Sequence, residues 1–97
     1  MKIENILRKN IEEYLLESYS IKSANFDISR TKKEFKGQIT VVLFPLIPLT
    51  KKKPNVIANE IILFLKNKID IVKDYNVIQG FLNIIFKDHF LVEILKS

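Results

Sequence analysis

The chain has 97 residues, 47% of them apolar and 28% charged. That suits one domain with a single modest core and argues against a disordered or collagen-like polymer. Formal net charge is +5, from 16 Lys+Arg against 11 Asp+Glu. This moderate surplus suits a polyanionic partner, although an AT-rich genome produces the same Lys, Ile and Asn bias. Without cysteine there is neither a disulfide framework nor a thiolate metal site, and the single histidine, His89, excludes a multi-histidine centre. Charges recur through Met1-Lys2-Ile3-Glu4-Asn5, so the N-terminus lacks the apolar core of a signal peptide. Nor is there a run of roughly 18 apolar residues to span a membrane. The expectation is a cytoplasmic domain.

From Lys2 to Tyr19, Ile3, Ile6, Leu7, Ile11, Tyr14 and Leu15 recur at three- and four-residue steps with Lys and Glu between them. This periodicity predicts an amphipathic helix packed on a sheet. Ser20 to Ser23 is a connector, and Phe26-Asp27-Ile28-Ser29 alternates as a short strand with Phe26 and Ile28 inward. Arg30 to Gly37 reads as a charged turn, with Gly37 free to take a positive φ. Gln38 to Phe44 is mostly β-branched and reads as a strand ended by Pro45. Pro45 to Thr50 reads as an apolar, proline-punctuated loop. After Lys51-Lys52-Lys53, Pro54 opens a second helix to Lys68, with Ile57, Ile61, Phe64, Leu65 and Lys68 on the buried stripe.

Asp70 to Asp74 is expected to turn the chain into two β-rich runs, Asn76 to Gln79 and Phe81 to Phe86, hinged at Gly80. Asp88 is a candidate N-cap for a last helix, His89 to Lys96. The order helix, two strands, helix, two strands predicts an α+β fold of two layers. Its antiparallel four-stranded sheet carries both long helices on one face, and a C-terminal helix follows.

Catalytic groups are sparse. His89 beside Asp88 lacks a nucleophile or a second base, and with Gly37 and Gly80 as the only glycines there is no Gly-rich phosphate loop. The chain is therefore not expected to catalyse a reaction by itself, and no metal or catalytic residue is assigned. Two basic clusters, Arg30/Lys32/Lys33/Lys36 and Lys51/Lys52/Lys53, are either solvated loops or phosphate contacts. In the last strand Leu82, Ile84 and Phe86 share one face, and Phe81, Asn83 and Ile85 the other. If the first face lies under the helices, an aromatic and an amide two residues apart stand on the open side. A single-stranded RNA base is commonly held that way. The alternative is that Phe81 is covered and Asn83 is bonded to backbone, since a buried amide is costly unless its hydrogen bonds are met.

Three segments in order resemble the N-terminal additional domain of arginyl-tRNA synthetase: Phe35-Lys36-Gly37-Gln38-Ile39-Thr40-Val41-Val42-Leu43-Phe44-Pro45, Lys53-Pro54-Asn55-Val56-Ile57-Ala58-Asn59-Glu60-Ile61, and Gly80-Phe81-Leu82-Asn83-Ile84. The resemblance covers essentially the whole chain as one domain, 1–97. It implies an α-β-β-α-β-β domain that contacts the D-loop at the outer corner of tRNA(Arg). Phe81 would stack on a base and Asn83 would bond its edge, with Lys32, Lys33, Lys36, Lys51, Lys52 and Lys53 on phosphates. The family's catalytic and anticodon-binding domains would follow Ser97. ATP and arginine would bind there, with no cofactor in this domain, and the domain would dock on its own catalytic domain. Gly37-Gln38-Ile39 departs from the family's frequent Gly-Asp-aromatic, and Val42 replaces a polar residue, so the carry-over rests on Phe81 and Asn83. A reading from another class is a protein-interaction module, with Phe81, Ile85 and Leu46 to Leu49 as an apolar docking patch.

Overall fold

A computed structural model describes residues 2–91. Helix α1 (Lys2–Tyr19) buries Ile3, Leu7, Ile11, Tyr14 and Leu15, the stripe its periodicity predicts. It stops where Ser20 takes a left-handed φ of 56°. The Ser20 and Ile21 amides then donate to the Leu16 and Leu15 carbonyls, satisfying acceptors that the helix end leaves over. The connector that follows is held back on α1 by Arg8. Its guanidinium donates to the Phe26 carbonyl at 2.9 Å and lies over the Phe26 ring.

Four strands, β1 (Ile28–Arg30), β2 (Ile39–Val42), β3 (Val72–Ile78) and β4 (Phe81–Phe86), form one antiparallel sheet in the order β1-β2-β4-β3. The register puts Ile28, Val41, Leu82 and Val77 in one row, and Ile39, Ile84 and Tyr75 in another on the same face. Leu82, Ile84 and Phe86 are fully buried there beneath α1 and α3 (Pro54–Lys68). The expected two-layer arrangement, with both long helices on one face, is the one observed. At the β3–β4 hairpin, Gln79 and Gly80 have φ of 50° and 83°. This is the doubly positive two-residue turn whose twist matches the flanking strands.

Helix α3 buries Ile57, Ala58, Ile61, Ile62 and Leu65. Lys68 is not on that stripe: it is exposed and rests its ammonium over the Phe64 ring at 5.3 Å, where the charge keeps its water. Strand β3 starts at Val72, inside the expected turn, and slips register between Val72 and Asp74. Lys73 is the extra residue, and the Tyr75 amide beyond it donates to the Asp74 carboxylate at 2.8 Å.

The segment after β2 is helical rather than a loop. Leu43 already has αR geometry, Phe44–Leu46 form a 3-10 turn, and α2 (Ile47–Thr50) follows. Pro45 and Pro48 stand in the first helical positions, where a missing N–H costs no bond, so prolines that read as loop markers are helix starters. Leu46 is fully buried, whereas Phe44 and Leu49 are exposed. The last helix begins with the Lys87 carbonyl accepting from Phe90 and Leu91, so Lys87 rather than Asp88 holds the cap position. Asp88 to Leu91 are helical; the rest of the expected helix to Lys96 lies outside the described residues. Among the described residues no helix is long and apolar enough to cross a membrane.

Candidate nucleic-acid interface

The sheet face turned away from the helices is where the site lies. Pairing places Ser29, Thr40, Asn83 and Asn76 in one row across all four strands, with Val42, Phe81 and Ile78 in the next. Phe81 is partly exposed and meets the Phe44 ring edge-on, centroids 6.0 Å apart. Phe44 can lie there because residue 80 is glycine: a Cβ at Gly80 would come within 2.6 Å of the ring. The 3-10 turn after β2 thus braces the aromatic at the start of β4.

Asn83 shares the open face with Phe81 but is fully buried. What covers it is the β1–β2 connection. Its Oδ1 accepts from the Thr40 hydroxyl at 2.6 Å, and its Nδ2 donates to Asn76 Oδ1 at 2.8 Å. Asn76 in turn donates to the Lys36 carbonyl at 2.8 Å. Thr40 Oγ1 also lies 2.9 Å from Thr31 Oγ1; its one proton goes to Asn83, so Thr31 is the donor there. Gly37, with φ of 142°, packs against Asn83 so closely that a Cβ would stand 3.2 Å from the Asn83 Cβ. Asn83 is therefore bonded to side chains on both neighbouring strands, not to backbone, and its buried amide is satisfied.

Beside this network is a cavity of about 100 Å³. Phe81, Asn83, Thr40 and Val42 line it from the sheet, and Ser29, Arg30, Lys32 and Phe35 from β1 and the connection. Two aromatic rings, two cations and several hydroxyl or amide groups thus converge on one small space. Phe35 is set by a tight turn in which its amide donates to the Lys32 carbonyl at 3.0 Å. Gln38, where the family pattern differs, is structural here: its Oε1 accepts from the Phe86 amide at 2.9 Å.

The predicted basic residues divide between two places. Lys32 lines the cavity, while Lys33 and Lys36 are exposed in the same connection. Lys51, Lys52 and Lys53 are exposed between α2 and α3, reached from the opposite end of β2. Lys52 acts on the helical layer, where the Tyr14 and Tyr19 hydroxyls both donate to Glu60 Oε1, at 2.7 and 2.6 Å. The Tyr19 hydrogen bond, with Tyr14 and the Lys52 charge adding to it, holds the Glu60 carboxyl below its ordinary value despite partial desolvation. Burial and the same contacts push the Tyr14 phenol far above its own. Among the described residues no group of His, Asp and Glu is placed to hold a metal ion.

Sequence alone points to Phe81, Asn83 and Lys32, and the fold brings them together. It does not point to Phe35, Thr40 or Asn76. Thr40 and Asn76 have the right alternation, but only the cross-strand register puts them beside Asn83.

Residues 1–86 match the family model described as the arginyl tRNA synthetase N terminal domain. The arginine–tRNA ligase of Bacteroides fragilis is 37% identical over 99 residues, covering all of this chain and 17% of that protein. The corresponding ligase of Amoebophilus asiaticus is 36% identical over 90 residues, covering 91% of this chain and 15% of its own. The chain thus spans about 17% of the length of the first of these relatives. Among solved structures, Thermus thermophilus arginyl-tRNA synthetase superposes on 96% of this chain and 15% of its own, with a TM-score of 0.69 and 23% identity, so the fold is shared. From the match over residues 1–86 and the identity to these ligases, the chain belongs to the arginyl-tRNA synthetase N-terminal domain family.

Proposed function

We propose that this domain binds tRNA(Arg) at the D-loop, and so positions it for ATP-dependent transfer of arginine by the catalytic domain of a full-length arginine–tRNA ligase. The observation that carries this reading is the cavity on the open sheet face, where the partly exposed Phe81 meets Arg30 and Lys32. A ring next to cations suits an unstacked base with its phosphate, because stacking tolerates any base and the cations meet the backbone charge. Asn83 keeps one Nδ2 proton and one Oδ1 lone pair beyond its bonds to Asn76 and Thr40. Asn83 is fully buried in the free domain, so a base takes these only as the β1–β2 connection shifts on binding. Lys33 and Lys36 hold neighbouring phosphates, and Lys51 to Lys53 hold phosphates farther along the RNA. ATP and arginine bind outside this domain.

The test is tRNA(Arg) binding by the full-length protein carrying Phe81→Ala. Stacking on alanine-replaced aromatics is worth roughly 1–3 kcal/mol, so affinity should fall by roughly 5- to 150-fold, with thermal unfolding measured alongside to show that the domain stays folded. Neutralising a loop lysine that holds a single-strand phosphate should make the salt slope shallower by roughly 0.7. Unchanged affinity in a folded Phe81→Ala protein removes Phe81 from the interface.

A further inference from the structure

The β1–β2 connection is latched to the sheet at both of its ends, and both latches run through Asn83. Thr31 is tied by way of Thr40, and the Lys36 carbonyl by way of Asn76, with Gly37 pressed on the Asn83 side chain. Between the latches the connection carries Phe35, partly buried, into the same cavity as Phe81. Phe81 takes its ring partner, Phe44, on another side. The space that Phe35 and Phe81 share is about 100 Å³, well below the roughly 300–1,000 Å³ of ordinary small-molecule sites. It suits one flat group. Resting on the tRNA reading above, we infer that Phe35 is the second wall of a pocket for a single unstacked base of the tRNA, opposite Phe81.

In the free domain Asn83 is then a positioning residue, since it holds Phe35 and Lys32 over the sheet. A base between two walls gains from each only while the other confines it. Removal of either ring therefore frees it from both, so the two losses overlap rather than multiply.

The experiment measures tRNA(Arg) affinity for the full-length protein with Phe35→Ala, Phe81→Ala, both together, and the conservative Phe35→Tyr, with melting temperatures alongside. Each single alanine variant is expected to weaken binding about tenfold. The double variant should be little weaker than the poorer single, and Phe35→Tyr should bind nearly as the parent does. Recovery with tyrosine separates a stacking wall from a merely structural loop residue, because Phe35→Leu fills the volume and should not recover binding. Three results overturn the pocket: unchanged affinity for Phe35→Ala while Phe81→Ala weakens it, full multiplication of the two losses, or recovery by leucine. The first of these leaves the tRNA reading standing. Unchanged affinity for Phe81→Ala, whatever Phe35→Ala does, removes Phe81 from the interface and overturns the pocket with it.

Discussion

Replacing Asn83 by leucine removes the polar network while keeping the number and branching of side-chain heavy atoms, at a site that is fully buried. Two hydrogen bonds disappear, one from Thr40 and one to Asn76. The Thr40 hydroxyl, itself almost buried, has a fallback in Thr31 Oγ1 at 2.9 Å; Asn76 is partly exposed, so water takes its open acceptor. With each ordinary bond worth about 0.5–1.5 kcal/mol net, and no buried group left wholly unpaired, the loss should be about 1–2 kcal/mol. For a domain of this size that is a fall of roughly 4–16 °C in melting temperature. Thr40→Val alone strands the Asn83 oxygen and should cost about as much. The double variant Asn83→Leu/Thr40→Val replaces both partners by apolar groups, so it should cost clearly less than the two singles added together. Thermal unfolding of the four proteins closes the cycle. Strict additivity, or an Asn83→Leu protein as stable as the parent, would refute a cooperative latch on the open face.

Two more outcomes follow from the geometry. The folded state holds the Glu60 carboxyl below its ordinary value through Tyr19 and Tyr14, so its contribution is present above the unfolded carboxylate range and is lost as pH falls through the lower folded value. Acid unfolding of Glu60→Gln, followed by circular dichroism from neutral pH to strongly acidic pH, should therefore show a weaker pH dependence than the parent; parallel curves would contradict this. Gly80→Ala should destabilise the hairpin by about 1–2 kcal/mol from its φ of 83°. It should also weaken tRNA binding, because the new Cβ displaces the exposed Phe44 ring from its place beside Phe81; retained affinity would show that the brace does not matter.

The element plan is legible because the periodicities are clean. The span of α1, the proline start of α3 and the alternation in β4 all follow from burial on one side, which residue types express directly. The helical turn at Phe44–Thr50 is hidden, because Pro45 and Pro48 mark a helix's first turn and a loop with the same letters. Lys68 is misplaced by spacing alone, which counts a long aliphatic stem at a stripe position as apolar while the ammonium escapes over a ring. The candidate site is half visible. Phe81 and Asn83 are local neighbours on one strand, so alternation finds them. Phe35, Thr40 and Asn76 reach them only through non-local pairing and a connection that folds back over the sheet, and neither leaves a periodic signature.

The bulge at Lys73 bears on how this domain behaves in company. Strand β3 is seven residues long and stands at the rim of the sheet, where an unbroken row of free amides invites another chain to add itself. Here the row is interrupted: Lys73 is squeezed out with its charge, and the Tyr75 amide is already taken by its neighbour's carboxylate. The opposite rim, β1, has only three residues. A domain so finished at both margins should resist strand addition at its sheet edges at high concentration. Deleting Lys73 to straighten the rim would give up that protection first, before any loss in the fold itself became visible.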